Sequence, residues 1–171
     1  MVKIVKVNKK DEFLSLEDRE KCHKGQGILH RAFSILVFNN KKQVLLSQRS
    51  KFKKLWPRFW DNTCSSHPLK GQSYIQAGKK RLKEEFGFAC PLKLVDKYQY
   101  QAKYKNVGSE NEVCALLIGT CSPKKIKPNK REIADWRWSD LKKLKKEIKK
   151  NPRKYTPWLK IDLKKLKNKV I

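Results

Sequence analysis

Apolar and polar positions recur with two different periods along the chain, and they predict a mixture of strands and helices. The runs "LHRAFSILVF" and "QVLLSQRS", joined by the turn "NNKK", predict a β-hairpin whose first strand begins near His30. Two longer strands are predicted in residues 92–104 and 110–121, and a short strand in residues 134–138. These segments together predict a sheet that supplies most of the core.

Four helices are predicted around these strands. Their expected first residues are Ser15, Ser73, Ser139 and Thr156. The first would be short and carry His23, and the second would end at Gly87, because serine favours helix starts and glycine favours helix ends. Residues 50–72 remain as a long aromatic and polar loop, which is typical of a functional segment in a compact domain.

Composition predicts one soluble domain over residues 1–171. With 39% hydrophobic and 10% aromatic residues among 171, the chain has enough apolar material for a core without disulfides or a structural metal. The apolar runs are too short for a membrane helix, and the first ten residues lack the apolar core of a signal peptide. The five cysteines are odd in number and form no CxxC pair, so reduced thiols in the cytoplasm are expected.

The formal net charge of +27 favours a polyanionic partner, but most of the basic residues are lysines spread along the chain. The densest stretches, "LKKLKKEIKKNPRK" and "IDLKKLKNK", also carry apolar residues at helical spacing. Solvated helix faces explain this pattern better than a nucleic-acid groove, so no specific nucleic-acid partner is expected. A basic field would still accelerate capture of a phosphorylated substrate.

A candidate metal site emerges from the histidines and from one pair of glutamates. His23, His30 and His67 all fall at element edges or in loops. Glu110 and Glu112 open a predicted strand, where the two-residue period places both carboxylates on one face. Three imidazoles and two carboxylates would suit manganese, magnesium or zinc, although isolated histidines are more often structural.

A second candidate set suggests phosphate binding. Arg81 and Glu85 lie four residues apart on a predicted helix, and Arg49 and Lys53 lie where the hairpin enters the long loop. Such basic groups bind diphosphate oxygens, and a carboxylate among them can hold Mg2+. From spacing alone, an ordinary surface ion pair is the favoured explanation of Arg81 and Glu85.

Five stretches together resemble type 1 isopentenyl-diphosphate isomerase, a family of Nudix-fold enzymes. They are "LHRAFS", "WPRFWDNTCSSHP", "RLKEEFG", "ENEVC" and "TPW", and their order and spacing are kept over nearly the whole chain. The resemblance implies a Nudix-type α/β/α sandwich around a mixed β-sheet. It also implies a soluble enzyme acting on a small isoprenoid diphosphate, expected as a monomer with a dimer left open.

The resemblance implies which residues bind metal and diphosphate. In that family three histidines and two glutamates hold a divalent metal, and the matching positions are His23, His30, His67, Glu110 and Glu112. Family members place a second Mg2+ on the substrate diphosphate through a helix glutamate, here Glu85. The basic diphosphate contacts match Arg19, Arg49, Lys53 and Arg81.

The resemblance also implies an acid, a base and a cation-facing residue. The family protonates one end of an alkene and removes a proton from its opposite face, which requires an acid and a base across the carbon skeleton. The acid side falls to Glu112, assisted by Tyr100, and Trp158 would face the intermediate tertiary cation, since an indole face attracts cations. Trp158 could equally serve to dock the last helix, and both roles are compatible.

The base position departs from the family pattern. The family typically has a cysteine two residues before the loop histidine, whereas Ser65 occupies that position here and Cys64 precedes it. In an extended loop, alternation would direct Ser65 and His67 to one side and Cys64 to the other. Ser65 is therefore assigned the catalytic position, with reduced activity expected because a hydroxyl ionises less readily than a thiol.

Two further departures lie in or beside the same loop, and two other functions stay open. Arg58 stands where the family commonly has glycine, and Gln72 where many members have glutamate. A Nudix hydrolase would cut a nucleoside diphosphate, but Arg81 replaces the first glutamate of the hydrolase pattern. The other alternative is a basic nucleic-acid-binding protein that keeps the fold without the chemistry.

Overall fold

The structure, a computed structural model, describes residues 2–166, in which a mixed β-sheet lies between helices. The strands among these residues are β1 (Lys3–Val7), β2 (Phe13–Asp18), β3 (His30–Phe38), β4 (Val44–Arg49), β5 (Trp60–Asp61), β6 (Cys64–Ser66), β7 (Leu92–Tyr104), β8 (Gly108–Thr120) and β9 (Ile133–Ser139). The helices are α1 (Arg19–Cys22), α2 (Tyr74–Phe86), α3 (Leu141–Lys150) and α4 (Pro157–Lys165), with a 3-10 turn at Pro152–Lys154. The prediction of a mixed sheet with flanking helices is confirmed.

Strand β3 forms the centre of the sheet. It pairs in parallel with β8, with His30 opposite Glu112 at one end and Phe38 opposite Thr120 at the other. The antiparallel strand β7 continues the sheet beyond β8, while β1 and β6 pair with β3. This arrangement brings the "ENE" segment of β8 beside the histidine that begins β3.

Alternation along β3 divides its side chains between two buried layers. Ile35 and Val37 pack in one layer with Phe86 of α2. Leu36 packs in the other layer with Leu159 of α4. Because the odd and even residues of β3 face opposite helices, the Nudix-type α/β/α sandwich expected from the resemblance is confirmed.

Helix α2 has the ends that its sequence predicts. The side chain of Ser73 accepts a hydrogen bond from the backbone N–H of Gln76, whose own side chain accepts from the Ser73 N–H. Gly87 ends the helix with φ of 77°, a left-handed conformation that glycine adopts without a steric cost. The predicted helix start at Thr156 is also confirmed, since Thr156 immediately precedes α4.

The predicted helix start at Ser15 is wrong. Ser15 lies inside β2 and pairs with Lys6 of β1, a strand that the sequence analysis did not predict. The short helix α1 begins only after Asp18, whose carboxylate accepts a hydrogen bond from the Glu20 N–H at 2.8 Å. A carboxylate closer to the helix therefore caps it, and the preceding residues join the sheet.

The predicted hairpin is correct in its two strands and wrong in their pairing. β3 and β4 pair only at Phe38 and Val44, beside the turn. β3 otherwise pairs with β1, β6 and β8, whereas β4 pairs with β5 and β9, so the strands diverge. Alternation identifies a strand but does not specify its partner.

Two smaller boundaries also differ from the sequence prediction. Helix α3 is capped by Asp140, since Ser139 still belongs to β9. The predicted loop of residues 50–72 contains the short strands β5 and β6. Arg58 in this loop has φ of 66°, a conformation in which glycine is usual.

Within residues 2–166, no helix combines the length and apolar character needed to cross a membrane.

Candidate active site

A cavity of about 480 Å³ opens on the α4 side of the sheet. Its wall includes side chains from β6, β7, β8 and α4 and from the segment after β6. Six of the lining residues are Ser65, His67, Tyr100, Glu110, Glu112 and Trp158. Most of the residues predicted for metal binding and for proton transfer therefore surround one space.

Five potential metal ligands converge at the inner wall of this cavity. One ligand atom from each of the five lies within 4.8 Å of every other. The residues are His23, His30, His67, Glu110 and Glu112. The carboxylates of β8 share one face as alternation predicts, and the pairing of β3 with β8 places His30 directly opposite Glu112.

Backbone carbonyls fix the orientation of two of these imidazoles. Nδ1 of His23 lies 2.6 Å from the carbonyl oxygen of Arg19, and Nδ1 of His30 lies 2.7 Å from that of Ile28. A carbonyl oxygen only accepts, so each Nδ1 must carry the proton and each Nε2 is left free as a ligand.

The Nε2 atoms face the other members of the cluster. His23 Nε2 lies 2.9 Å from a Glu110 oxygen, and the Nε2 atoms of His30 and His67 lie 3.1 Å apart. Burial and the neighbouring His30 and His23 lower the pKa of His67 well below its ordinary value, which favours the neutral, metal-binding imidazole. Because imidazole nitrogens and carboxylate oxygens suit manganese, magnesium and zinc, the cluster fits a divalent metal.

A close contact with the hairpin between β7 and β8 holds His23 in this cluster. The backbone N–H of Ser109 donates to the His23 carbonyl oxygen at 2.9 Å. A Cβ atom at Gly108 would collide with the same carbonyl oxygen, so glycine permits the close approach. The turn before the "ENE" segment therefore positions the first histidine as well as the two glutamates.

Glu112 also forms a hydrogen-bonded pair with Tyr100. The hydroxyl of Tyr100 donates to Glu112 Oε2 at 2.7 Å, and the two residues lie directly opposite each other on β7 and β8. Burial tends to raise the pKa of Glu112, but the neighbouring His30 imidazole and the hydrogen bond from Tyr100 outweigh it and leave the pKa lowered. Burial raises the pKa of Tyr100 well above its usual value, so this residue stays protonated.

Trp158 faces the cavity with a fixed orientation. Its indole Nε1 donates to Asp61 Oδ1 at 2.6 Å, and Trp56 packs against it edge to face with ring centroids 5.1 Å apart. Asp61 also accepts hydrogen bonds from Thr156 and Arg49. The ring is only 3% exposed, so it presents a desolvated π surface to the cavity.

Ser65 and Cys64 lie on opposite sides of β6. Cys64 is directly opposite Ile35 of β3 and packs in the buried layer against α2. Ser65 lies on the cavity wall, and its Oγ is buried without a hydrogen-bond partner among residues 2–166. Burial raises the pKa of Cys64 well above its ordinary value. The alternation expected from the sequence is therefore present, and only Ser65 of the two lines the cavity.

Basic residues line the outer part of the cavity and a smaller adjoining one. Arg19 and Lys53 lie on the walls of both, and Arg81 lies on the wall of the second, whose volume is about 290 Å³. Arg81 forms the predicted ion pair with Glu85, at 2.6 Å. Burial raises the pKa of Glu85 despite Lys53 and Arg81 nearby, and Glu85 lies outside the five-ligand cluster.

Arg49 lines the cavity with its guanidinium already hydrogen-bonded to the protein. It donates to Asp61 at 2.8 Å and to the carbonyl oxygens of Leu55 and Trp56. Its central carbon also lies 5.2 Å from the centroid of the Trp158 ring. In this conformation Arg49 stabilises the ring of Trp158 and the loop that follows β4.

The acidic residues Glu132, Asp61 and Asp162 lie at or behind the cavity wall and were not predicted as site residues from the sequence. Glu132 bonds both Lys53 and Arg81, Asp61 holds Trp158, and the fully buried Asp162 lies one helical turn after Trp158. Asp162 had a usable signal, because it interrupts the apolar face formed by Trp158, Leu159 and Leu163 on α4. Glu132 and Asp61 lie at strand edges and had no comparable signal.

Comparison with known proteins places this chain in a class by its fold and then in a family. A family model described as NUDIX domain matches residues 28–159. A crystal structure of a protein from Deinococcus radiodurans superposes with a TM-score of 0.77, covering 95% of this chain and 98% of the other at 15% identity. At that identity the likeness shows a shared fold alone.

Closer relatives define the family within that class. The isopentenyl-diphosphate Delta-isomerase of Haloarcula marismortui is 36% identical over 146 residues, covering 83% of this chain and 78% of the relative. Isopentenyl-diphosphate Delta-isomerase 2 of Photorhabdus laumondii is 38% identical over 142 residues, covering 83% and 79%. The chain therefore belongs to the isopentenyl-diphosphate Delta-isomerase family of Nudix-fold proteins.

Proposed function

We propose that this protein isomerises isopentenyl diphosphate to dimethylallyl diphosphate in a metal-dependent reaction. The observation that carries the proposal is the sharing of one cavity by the five-ligand cluster, the Tyr100–Glu112 pair and the face of Trp158. The names of the relatives point to the same reaction.

The proposed reaction begins when the acid side protonates the terminal alkene carbon. Glu112, together with the protonated Tyr100 hydroxyl that is hydrogen-bonded to it, delivers that proton, and a tertiary cation forms next to the indole of Trp158. A desolvated indole face attracts a cation by about 2 kcal/mol. The three histidines and two glutamates would hold a divalent metal, which would supply positive charge beside this acid side.

Removal of a proton from the carbon between the cation and the diphosphate-bearing carbon completes the double bond. We assign Ser65 to this side because it lines the cavity while Cys64 is buried in the opposite layer. Ser65 is a weak base by itself, since an aliphatic hydroxyl needs an acceptor for its own proton.

The basic wall is the proposed site for the diphosphate. Arg19, Lys53 and Arg81 line it, and Arg49 contributes from the aromatic side. Glu85 is proposed to hold Mg2+ on the diphosphate, and the cluster is proposed to hold Mg2+, Mn2+ or Zn2+. We propose that the enzyme works as a monomer in the cytoplasm.

A direct assay tests the proposal. Purified protein is stripped with a chelator, reloaded with Mg2+, Mn2+ or Zn2+, and incubated with isopentenyl diphosphate. Formation of dimethylallyl diphosphate only after metal loading is expected, and absence of turnover with every metal would contradict the proposal. Release of phosphate from nucleoside diphosphates would instead favour a hydrolase.

Two matched variants test the assignment of the base position. Ser65→Cys should raise the rate, because a thiol ionises more readily than a hydroxyl. Cys64→Ala should leave the rate within about three-fold, because its thiol faces the other layer. An unchanged rate in Ser65→Cys, or a large loss in Cys64→Ala, would show that the assignment is wrong.

A further inference from the structure

Asp162 is a buried carboxylate that lies behind the cavity wall. It is fully buried on α4 and accepts three hydrogen bonds, from Ser34 Oγ, Asn62 Nδ2 and Tyr98 Oη, each at 2.6 Å. Within residues 2–166, no salt bridge joins it to a basic side chain. A buried anion held only by neutral donors is costly and needs a reason beyond fixing the helix.

Ser34 connects this carboxylate to the base side of the cavity. Ser34 lies directly opposite Ser65 in the antiparallel pairing of β3 with β6, so their side chains project from the same face. Cβ atoms of such pairs are about 4.5–5.5 Å apart, within the range of a hydroxyl contact. Both residues line the cavity.

The hydrogen-bonding capacities of the two hydroxyls match. Ser34 donates its only proton to Asp162, so its oxygen keeps lone pairs free to accept. Ser65 Oγ is buried and has no hydrogen-bond partner in the part of the chain that the structure describes. Rotation of the Ser65 hydroxyl toward Ser34 would complete a chain that runs from Ser65 through Ser34 to Asp162.

We propose that Ser34 and Asp162 are positioning residues that allow Ser65 to act as the base of the proposed isomerisation. The C–H bond of the cation breaks and its electron pair forms the new C=C bond, while the proton passes to Ser65 Oγ. Ser65 gives its own proton to Ser34, and Ser34 gives its proton to Asp162. The carboxylate becomes a carboxylic acid, and no other reactant is needed.

The surroundings of Asp162 suit an acceptor that works near neutral pH. Burial raises its pKa to about 7, although the hydrogen bonds from Ser34, Tyr98 and Asn62 act in the opposite direction. The titratable groups around it are Tyr98 of β7, Cys114 of β8, and Asp61 of β5, which is paired with Arg49 of β4. A general base is most effective when its pKa lies near the working pH.

The test is a double-mutant cycle followed as a function of pH. Asp162→Asn and Ser34→Ala are each made in the wild type and in the Ser65→Cys variant. In the wild type, each should lower kcat roughly 100-fold, change KM less than about two-fold and remove the rise in kcat with pH around 7. In Ser65→Cys each should cost less than about five-fold, because a thiol can ionise without the relay.

Equal losses in the two backgrounds would overturn the inference, because a purely structural role would affect serine and cysteine alike. Thermal unfolding of every variant serves as the folding control, and Ser34→Thr, which keeps the hydroxyl, should restore most of the activity lost in Ser34→Ala. If Asp162→Asn does not fold, the losses caused by Ser34→Ala in the wild type and in Ser65→Cys still test the inference.

The thiol of Cys114 competes with Ser65 as a hydrogen-bond donor to Ser34 Oγ. Its Sγ lies on the cavity wall, 3.8 Å from Ser34 Oγ. Cys114→Ala should retain the rise in kcat around pH 7. Loss of that rise would show that the Cys114 thiol, rather than Ser65, donates to Ser34, and it would overturn the inference.

The inference rests on the proposed function, so an inactive wild type overturns both. An active wild type with an unchanged profile in Asp162→Asn overturns the inference alone.

Discussion

The two sides of the cavity are built in different ways. On the acid side, the five potential ligands lie within 4.8 Å of one another, and backbone carbonyls orient His23 and His30 directly. On the base side, Ser65 Oγ has no hydrogen-bond partner within residues 2–166, and the buried carboxylate of Asp162 bonds Ser34 rather than Ser65. The acid side is complete within its own contacts, whereas the base side depends on a second layer of residues.

Because of this difference, the two sides should respond differently to substitutions. The cluster depends on five side chains and two backbone carbonyls, so loss of a single ligand should be severe. The base side contains small neutral groups backed by one buried charge, so its effects should depend on pH and on the residue at position 65. Substitutions on the two sides should therefore differ in size and in pH dependence.

Glu112→Gln should give the largest loss of activity. Glu112 serves both the ligand cluster and the Tyr100 pair, and general acid catalysis alone contributes about 10² to 10⁴ in rate. We expect kcat to fall by at least about 10³, together with weaker metal binding, measured by steady-state kinetics and metal titration. Glu147→Gln, on α3 away from the cavity, is the matched control, and a loss of less than ten-fold in Glu112→Gln would contradict the assignment.

Asp162→Asn should change how stability depends on pH. The folded-state pKa is raised from 3.8 to about 7, so the neutral acid contributes stability that is fully present below pH 3.8 and lost as pH rises through 7. The free energy of unfolding of the wild type, relative to Asp162→Asn, should fall by on the order of 4 kcal/mol between pH 4 and 8. Denaturant unfolding across this range measures it.

The exposed Asp135→Asn variant provides the reference for that experiment. Its stability relative to the wild type should stay nearly constant over the same pH range, because Asp135 lies in solvent. A constant difference for Asp162→Asn as well would show that the carboxylate is not held neutral by burial.

Lys53→Gln should weaken substrate binding more than it slows the reaction. Lys53 lines both cavities and forms an ion pair with Glu132, so it is placed to exchange that carboxylate for a diphosphate oxygen. A charged hydrogen bond is worth about 1.5–3 kcal/mol, which predicts a KM about 10- to 100-fold higher. Lys51→Gln, at an exposed neighbouring position, should leave KM within about two-fold, and similar values for the two variants would remove Lys53 from the site.

Trp158→Phe should have the smallest effect of the four substitutions. Phenylalanine keeps an aromatic face but attracts a cation less strongly, and it loses the hydrogen bond to Asp61. We expect kcat about ten-fold lower, with KM little changed. Trp136→Phe, in the layer against α2, is the control. Equal effects of the two changes would assign Trp158 to packing alone.

Local sequence patterns predicted most elements of the fold but not all of their partners. The ends of α2 follow directly from Ser73 and Gly87, whose preferences act within a few residues. The divergence of β3 from β4 depends on β8 and β9, which lie far along the chain. Ser15 was misassigned because β1, its partner strand, was not recognised.

The same division between local and long-range information applies to the site. Glu110 and Glu112 share a face because strand alternation is local, and their meeting with the histidines depends on the parallel pairing of β3 with β8. Only the resemblance to the family predicted that these glutamates and the histidines lie together. The contact between Asp162 and Ser34 could not be predicted because it joins residues 128 positions apart, although the interrupted apolar face of α4 marks Asp162 itself.

The most direct test of the account is the reaction run in deuterium oxide with the metal-loaded protein. Protonation of the alkene from the acid side requires the new methyl group of dimethylallyl diphosphate to carry deuterium from the solvent, which NMR detects. The account predicts dimethylallyl diphosphate deuterated in that methyl group, at a rate raised by Ser65→Cys. Product without solvent deuterium, or no product after metal loading, would contradict it.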